Sequence, residues 1–292
     1  MASDSVVDER TFREVYLTNF EIAVKEGKPK FIMSSYNRIN GTYANEDKTL
    51  LSDILRDEWG FEGAVVTDWG GSNDHVEGVR AGSHLEMPGT AGDSDRQLAA
   101  AVKAGVIGEE VVDQRVDELL DVILAVAPKE KADGSFDKEG HHALAARVAE
   151  EAVVLLKNEE NILPLAAGAK VAVIGDFAAI PRYQGAGSSL VNPTKLECTL
   201  DVLDKMPLES VGYAQGFTRA DAVDKALTEQ AVALAKQADT VLLYMGLPEI
   251  SETEGLDREH MRLPDNQVQL LKAVAAANPN VVVVLAAGSP VE

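Results

Sequence analysis

The sequence is short of cations and of cysteine. Lys and Arg number 27 against 48 Asp and Glu, a formal net charge of −21. Phosphate binding needs clustered cations, so no nucleic-acid or membrane partner is expected. Cys198 is the single cysteine. An intrachain disulfide and a cysteine-based metal site are therefore excluded. No stretch reaches the ~18 apolar residues of a membrane span. The opening Met1-Ala2-Ser3-Asp4 has neither a basic n-region nor an apolar h-region, so no signal peptide is read. The expected localisation is cytoplasmic. Repeats and low-complexity tracts are missing too.

Several chemical signatures are also lacking. The histidines show no His-x-x-x-His or His/carboxylate spacing for a metal. No serine elbow or Cys/His pairing stands out. Gly185-Ala186-Gly187-Ser188-Ser189 lacks the spacing of a dinucleotide loop or a P-loop, and it lies about ten residues beyond its strand. No cofactor and no metal are expected.

What is present is ample apolar residue in a regular alternation. Hydrophobic residues make up 46% of 292, enough for two ordinary domains with normal cores. Helical spacing of Phe12, Val15, Tyr16, Phe20 and Val24 predicts a helix from Asp8 to a stop at Gly27. Strands are expected at Lys30–Ser35, Gly63–Thr67 and Ser83–Met87. Helices are expected at Asp47–Trp59, with Leu50, Leu51, Ile54 and Leu55 inward, and at Asp74–Ala81, Asp93–Ala104 and Glu109–Val126. The charged, Gly-containing stretch from Pro128 to Gly140 reads as a linker, followed by a helix over His141–Lys157. Strands at Lys170–Gly175, Thr240–Gly246 and Asn280–Leu285 then alternate with helices at Ala220–Gln237 and Asp265–Asn278. Such alternation argues for an α/β fold with parallel sheets.

Ala64-Val65-Val66-Thr67-Asp68-Trp69-Gly70-Gly71 is the segment best suited to chemistry. A short apolar run reads as a buried parallel strand, and it ends in a carboxylate. In α/β enzymes that mouth is where catalytic groups are held. The rival reading makes Asp68 the cap of the next helix. A second acidic segment, Ser251-Glu252-Thr253-Glu254-Gly255-Leu256-Asp257-Arg258, follows the strand at Thr240–Gly246. Its plain reading is a solvated acidic loop. Opposite Asp68 across a domain interface, it would instead supply a nucleophile and general-acid pair. Retaining glycosidases hold two such carboxyls about 5–5.5 Å apart, one ionised and one protonated. Tyr36 could hold Asp68 and Met33 could line an apolar patch, although both residue types also serve as rim packing. Trp69 could stack on a sugar ring or simply fill a core. The Gly185–Ser189 loop reads as a turn or a hydroxyl contact to a sugar.

These motifs together resemble glycoside hydrolase family 3, the β-glucosidase family. The resemblance runs through Glu9–Leu17, Met33–Gly41, Leu55–Gly63, Val65–Trp69, Leu85–Gly89, Val154–Asn158, Leu163–Leu165, Glu252–Arg258, Leu263-Pro264 and Gly288–Pro290. It implies a (β/α)₈ barrel followed by an α/β sandwich and a retaining mechanism without cofactor. It implies Asp68 as nucleophile. The acid/base belongs to the Glu-Thr-Glu-Gly loop, with Glu254 favoured and Glu252 the alternative register. Met33, Tyr36 and Trp69 match positions that line the sugar subsites. His84 stands where the family usually has Asp.

At about 30 residues per βα unit, the first part holds only half of a barrel that needs roughly 250 residues. The expected architecture is therefore the C-terminal half of a barrel over residues 1–127. A linker and linker helix follow over 128–157, then an α/β sandwich over 158–292 that is incomplete. The expected activity is hydrolysis of terminal β-D-glucosyl or related bonds in a β-glucoside or oligosaccharide. The alternative is an inactive piece that associates with a complementary fragment or with copies of itself, or that binds sugar without turnover.

Overall fold

The computed structural model describes residues 3–127 and 134–292. The chain forms two compact units, residues 1–135 and 136–292. Residues 128–133 of the expected linker lie outside the described residues.

The first unit opens with β1 (Asp4–Ser5) and a helical run made of α1 (Glu9–Thr11), Phe12–Tyr16, α2 (Thr18–Ile22) and Ala23–Gly27. Asp8 caps it, accepting from the Thr11 amide at 3.0 Å. The stop is Lys28 in the left-handed region (φ 47°), one residue beyond the expected Gly27. Val24 is buried as its spacing predicts, but Val15, Tyr16 and Phe20 are exposed. β2 (Phe31–Met33) follows, shorter than the expected strand.

Next comes a hairpin of β3 (Arg38–Ile39) and β4 (Thr42–Tyr43), with β1 added in parallel to β3. The sequence reading missed this small sheet. Its turn is Asn40-Gly41 with φ of 51° and 92°, the pair that a tight hairpin of this twist favours.

A helix over Thr49–Glu58 buries Leu51, Ile54 and Leu55, as expected, although its turns are wide, with the Trp59 amide bonding Ile54 O. β5 (Ala64–Val66) pairs in parallel with β2, placing Met33 opposite Val66. Val24, Leu51, Leu55, Phe61, Val65 and Ala81 form the core between these elements. α3 (His75–Ala81), α4 (Asp93–Lys103) and α5 (Glu109–Val126) complete the unit.

The expected strand Ser83–Met87 is only a single parallel bridge, Leu85 to Val66. The His84 ring explains why. Val65 N–H, which would meet a backbone carbonyl in a regular ladder, donates instead to His84 Nδ1 at 3.0 Å. That bond leaves the ring proton on Nε2, which lies 2.7 Å from Glu118 Oε2 and 3.0 Å from Arg56 Nη2. Arg115 Nη1 sits 3.2 Å from the same carboxylate oxygen. Burial pushes the imidazole down to about 4. Its bond to Glu118 pulls the other way, while Arg56 and Arg115 add to the fall.

The second unit starts with α6 (Lys138–Ala152), which ends well before the expected Lys157 because Val153 turns extended. β6 (Lys170–Ile174), α7 (Thr199–Val202), β7 (Glu209–Ala214), α8 (Lys225–Ala235), β8 (Thr240–Gly246), α9 (Asp265–Ala277) and β9 (Val281–Ala286) follow. The strands make one parallel sheet in the order β7-β6-β8-β9. β7 was not expected, because Glu-Ser-Val-Gly-Tyr-Ala has no apolar run. Apolar side chains pack on both faces. Ile174, Leu243, Phe217 and Leu270 lie on one, and Val171, Val173, Leu203 and Leu242 on the other.

The chain leaves β6 towards β7 on one side and later returns to β8 on the other. In open α/β sheets that reversal opens a crevice at the carboxyl ends of the strands. Two glycines let the strands finish there. A Cβ on Gly175 would lie 2.0 Å from Tyr244 O, and one on Gly246 would lie 1.9 Å from Ala286 O.

Candidate active site

In the first unit the candidate residues gather at the carboxyl ends of β2 and β5. Met33 ends β2 and Tyr36 follows it. Asp68 and Trp69 lie just past the end of β5. Asp68 is half-buried, and its Oδ1 accepts from Trp69 N–H at 2.7 Å. Among the described residues no cation pairs with it. The rival reading of Asp68 as a helix cap does not hold. The next helix begins at His75 and is capped by Asp74, whose Oδ1 accepts from Glu77 N–H at 3.1 Å. Trp69 is 65% exposed and Met33 60% exposed, so neither fills a core.

The loop carrying Asp68 is fastened on both sides. Thr67 Oγ1 donates to Met87 O at 3.1 Å and accepts from Met87 N at 2.9 Å. Gly70 N donates to Met87 O at 2.7 Å. Glu46 Oε1 accepts from the Asn73 and Asp74 amides at 3.1 and 2.7 Å. The sequence reading did not single out Glu46. Its carboxylate replaces backbone partners that this open loop lacks.

In the second unit, Glu252 and Glu254 lie at the switch point. The loops after β6, β8 and β9 meet there. Glu252 ends a short 3₁₀ helix, Glu249–Glu252. Its Oε2 accepts from Arg182 Nη2. The carboxylate also takes the Gly288 amide at 3.0 and 3.1 Å and the Ser289 hydroxyl at 2.6 Å. Burial alone would push this carboxyl up. The bonds from Ser289 and Gly288 and the charges of Arg182 and Arg258 outweigh it and hold it below the usual value. Glu252 is thus an ionised carboxylate with its lone pairs engaged.

Glu254 has a different setting. Its N–H donates to Ala186 O at 3.2 Å, beside a parallel bridge between Ala186 and Thr253. Its Oε2 accepts from the Ser188 amide at 3.1 Å and from the Ser188 hydroxyl. The Gly185–Ser189 turn therefore contacts the acidic loop. Sequence reasoning passed over Arg182, Ser188 and Ser289 as partners, because they come from loops far apart in the chain. Among the described residues no group of three His, Cys, Asp or Glu is placed to hold a metal ion. No helix among them is long and apolar enough to cross a membrane.

Two family models match the chain. Residues 3–122 match the glycosyl hydrolase family 3 N-terminal domain, and residues 153–292 match the family 3 C-terminal domain. The chain belongs to glycosyl hydrolase family 3. Its relatives in this family include thermostable β-glucosidase B of Acetivibrio thermocellus, 42% identical over 100% of this chain and 39% of that protein. An exo-α-(1→6)-L-arabinopyranosidase of Bifidobacterium breve is 43% identical over 98% of this chain and 39% of that one. The crystal structure of a Bifidobacterium adolescentis family 3 β-glucosidase superposes with a TM-score of 0.89 at 44% identity. It covers 99% of this chain and 43% of that one. The chain thus spans about two fifths of the length of these relatives. The fold is that of the family, a partial (β/α)₈ barrel and an α/β sandwich, as the sequence motifs imply.

Proposed function

We propose that this chain carries the two catalytic carboxylates of a retaining β-glycoside hydrolase, acting on a terminal β-D-glucosyl or related unit. In this reading Asp68 attacks the anomeric carbon, and Glu254 protonates the departing oxygen. Water then hydrolyses the glycosyl–enzyme, with Glu254 as base. The carrying observation is the position of Asp68. It stands past the end of a barrel strand with no cation paired to it among the described residues and no capping duty, in a chain of family 3. The choice of Glu254 over Glu252 follows from their partners. A carboxylate ion-paired to arginine and held ionised is a poor proton donor. Met33, Tyr36 and Trp69 would line the sugar site.

The test is turnover of a chromogenic β-glucoside by the chain and by Asp68→Asn. A fall of about 10⁴-fold or more is expected, the scale of losing a nucleophile. Equal turnover sinks the assignment.

A second reading is favoured by the surface of the first unit. Val15, Tyr16, Phe20, Ile123 and Leu124 are exposed on its helices, and exposed apolar side chains that cluster mark surfaces another chain covers. In that reading the chain works only when joined to a complementary piece or a second copy. Its size in solution, alone and on mixing with candidate fragments, separates the two readings.

A further inference from the structure

We propose that Glu252 is a positioning residue that sets the place of Glu254, an assignment that rests on the reading of Glu254 as acid/base. The 3₁₀ helix Glu249–Glu252 is pinned at both ends by arginines from other loops. Glu249 accepts from Arg219 Nη1, and Arg219 Nε in turn bonds Asp176 Oδ2 at 2.6 Å. Glu252 accepts from Arg182, whose side chain is 7% exposed. The Glu252 carboxylate also gathers Gly288 and Ser289 from the turn after β9. Arg258 Nη1 then donates to Ser289 Oγ at 2.6 Å and to Pro290 O at 2.8 Å. One carboxylate therefore ties together the exits of β6, β8 and β9.

Glu254 follows two residues later, and its own contacts are few. Its seat is the Ala186–Ser188 turn, which the same Arg182 loop delivers. The fit is close. Gly187 has φ 96°, and a Cβ there would come within 2.8 Å of Glu254 Cβ. With the Glu252 clamp gone, the Arg219 bridge from Asp176 to Glu249 still ties the two loops at the far end of the 3₁₀ helix, but at the Glu254 end only its own bonds to Ala186 and Ser188 hold them. A buried arginine would also be left without its charge partner, which favours rearrangement of the loop.

The experiment compares Glu252→Gln, Arg182→Lys, Ser188→Ala and Glu254→Gln in the full chain. The first readout is the Ser188 amide proton in NMR spectra, which reports its bond to Glu254 and needs no substrate. It is expected to move in Glu252→Gln towards its position in Glu254→Gln. Arg182→Lys, which keeps the charge, is expected to move it part of the way and guards against a Gln variant that does not fold. The second readout is kcat/KM on an unactivated alkyl β-glucoside and on a dinitrophenyl β-glucoside, whose leaving group departs without a proton. Glu252→Gln is expected to lose about 10²-fold on the first, the low end of general-acid catalysis, and little on the second. A folded Glu252→Gln with an unmoved Ser188 amide overturns the proposal. So does an equal loss on both glucosides, which marks a merely structural residue. The reading of Glu254 fails separately, if Glu254→Gln hydrolyses the alkyl glucoside as the wild type does.

Discussion

The parallel strands of the two units finish in different ways. In the second unit, β6, β7, β8 and β9 pair along their lengths, backbone ladders run to the strand ends, and both faces of β6 and β8 are covered, while β9 keeps Val283, Val284 and Leu285 exposed. In the first unit β2 and β5 pair over three residues, and their neighbour contributes one bridge. Side chains do there what ladders do elsewhere. His84 takes the Val65 amide, Thr67 takes both backbone groups of Met87, and Glu46 takes two loop amides. The lesson is that the loop carrying Asp68 depends on a few polar side chains, and the loop carrying Glu254 on a continuously paired sheet plus one ion-paired carboxylate.

The largest expected effect contrasts the two cores. Phe217 is 1% exposed and meets Phe177 edge-on, with ring centroids 5.6 Å apart. Phe217→Ala is expected to cost about 3–5 kcal/mol, read as faster hydrogen exchange of β6 and β8 amides in mild denaturant. Phe61→Ala in the first unit is expected to cost less. Phe61 borders a cleft of about 400 Å³ together with Lys30, Arg56, Glu62, Glu118, Asp121 and Val122, so water can enter the space its ring leaves. An equal or greater loss at Phe61 would break the contrast, because it would show the first core to be as tightly closed as the second.

Those differences also mark what the sequence could reveal. The alternation of apolar runs with helical spacing carried the architecture, because parallel strands buried on both faces read as continuous apolar segments. β7 escaped because it is an edge strand with polar residues and a glycine. The Ser83–Met87 segment reads as a strand, yet one imidazole ring diverts its ladder. The place of Asp68 past the end of β5 was legible because strand-end position is local information. The engagement of Glu252 was not, since Arg182 lies 70 residues before it and Ser289 lies 37 after it. Asn40-Gly41 was a hairpin signal present in the sequence and passed over.

A smaller effect concerns acid. The unfolded imidazole of His84 takes a proton near 6.5, whereas the folded one does so only at about 4. Between those values the unfolded state binds more protons, so stability falls as the pH drops through the window and is fully present above it. Glu118, whose carboxyl lies below its usual value despite burial, adds a loss in the same direction at lower pH. His84→Gln is expected to flatten the pH dependence between about 6.5 and 4, measured as the protection of the Val65 amide relative to its intrinsic exchange rate at each pH. The second unit has no buried imidazole among its described residues, so the protection of β8 amides, taken relative to the intrinsic exchange rate at each pH, is expected to stay level over that window. A slope of the same size in β8 would break the comparison. An unchanged slope in His84→Gln would move the acid sensitivity to another group.

The smallest effect tests whether the units differ in local physics or only in closure. Asp74 caps α3 and Asp224 caps α8 with the same bond, each Oδ1 accepting a backbone amide three residues on at 3.1 Å. Replacement by Ala removes the acceptor and leaves the backbone bond from the Asp74 amide to Glu46 in place. Each variant is expected to cost about 1 kcal/mol, measured by urea unfolding followed through amides of the helix concerned. Equal losses would mean that caps act alike in both units, and that the contrast between them comes from how far their strands are paired. A loss at Asp74 well above that at Asp224 would mean that α3 anchors the Asp68 loop through more than its own first turn. The carboxylate at the end of β5 would then be held from the helix side as well as by Glu46 and Met87.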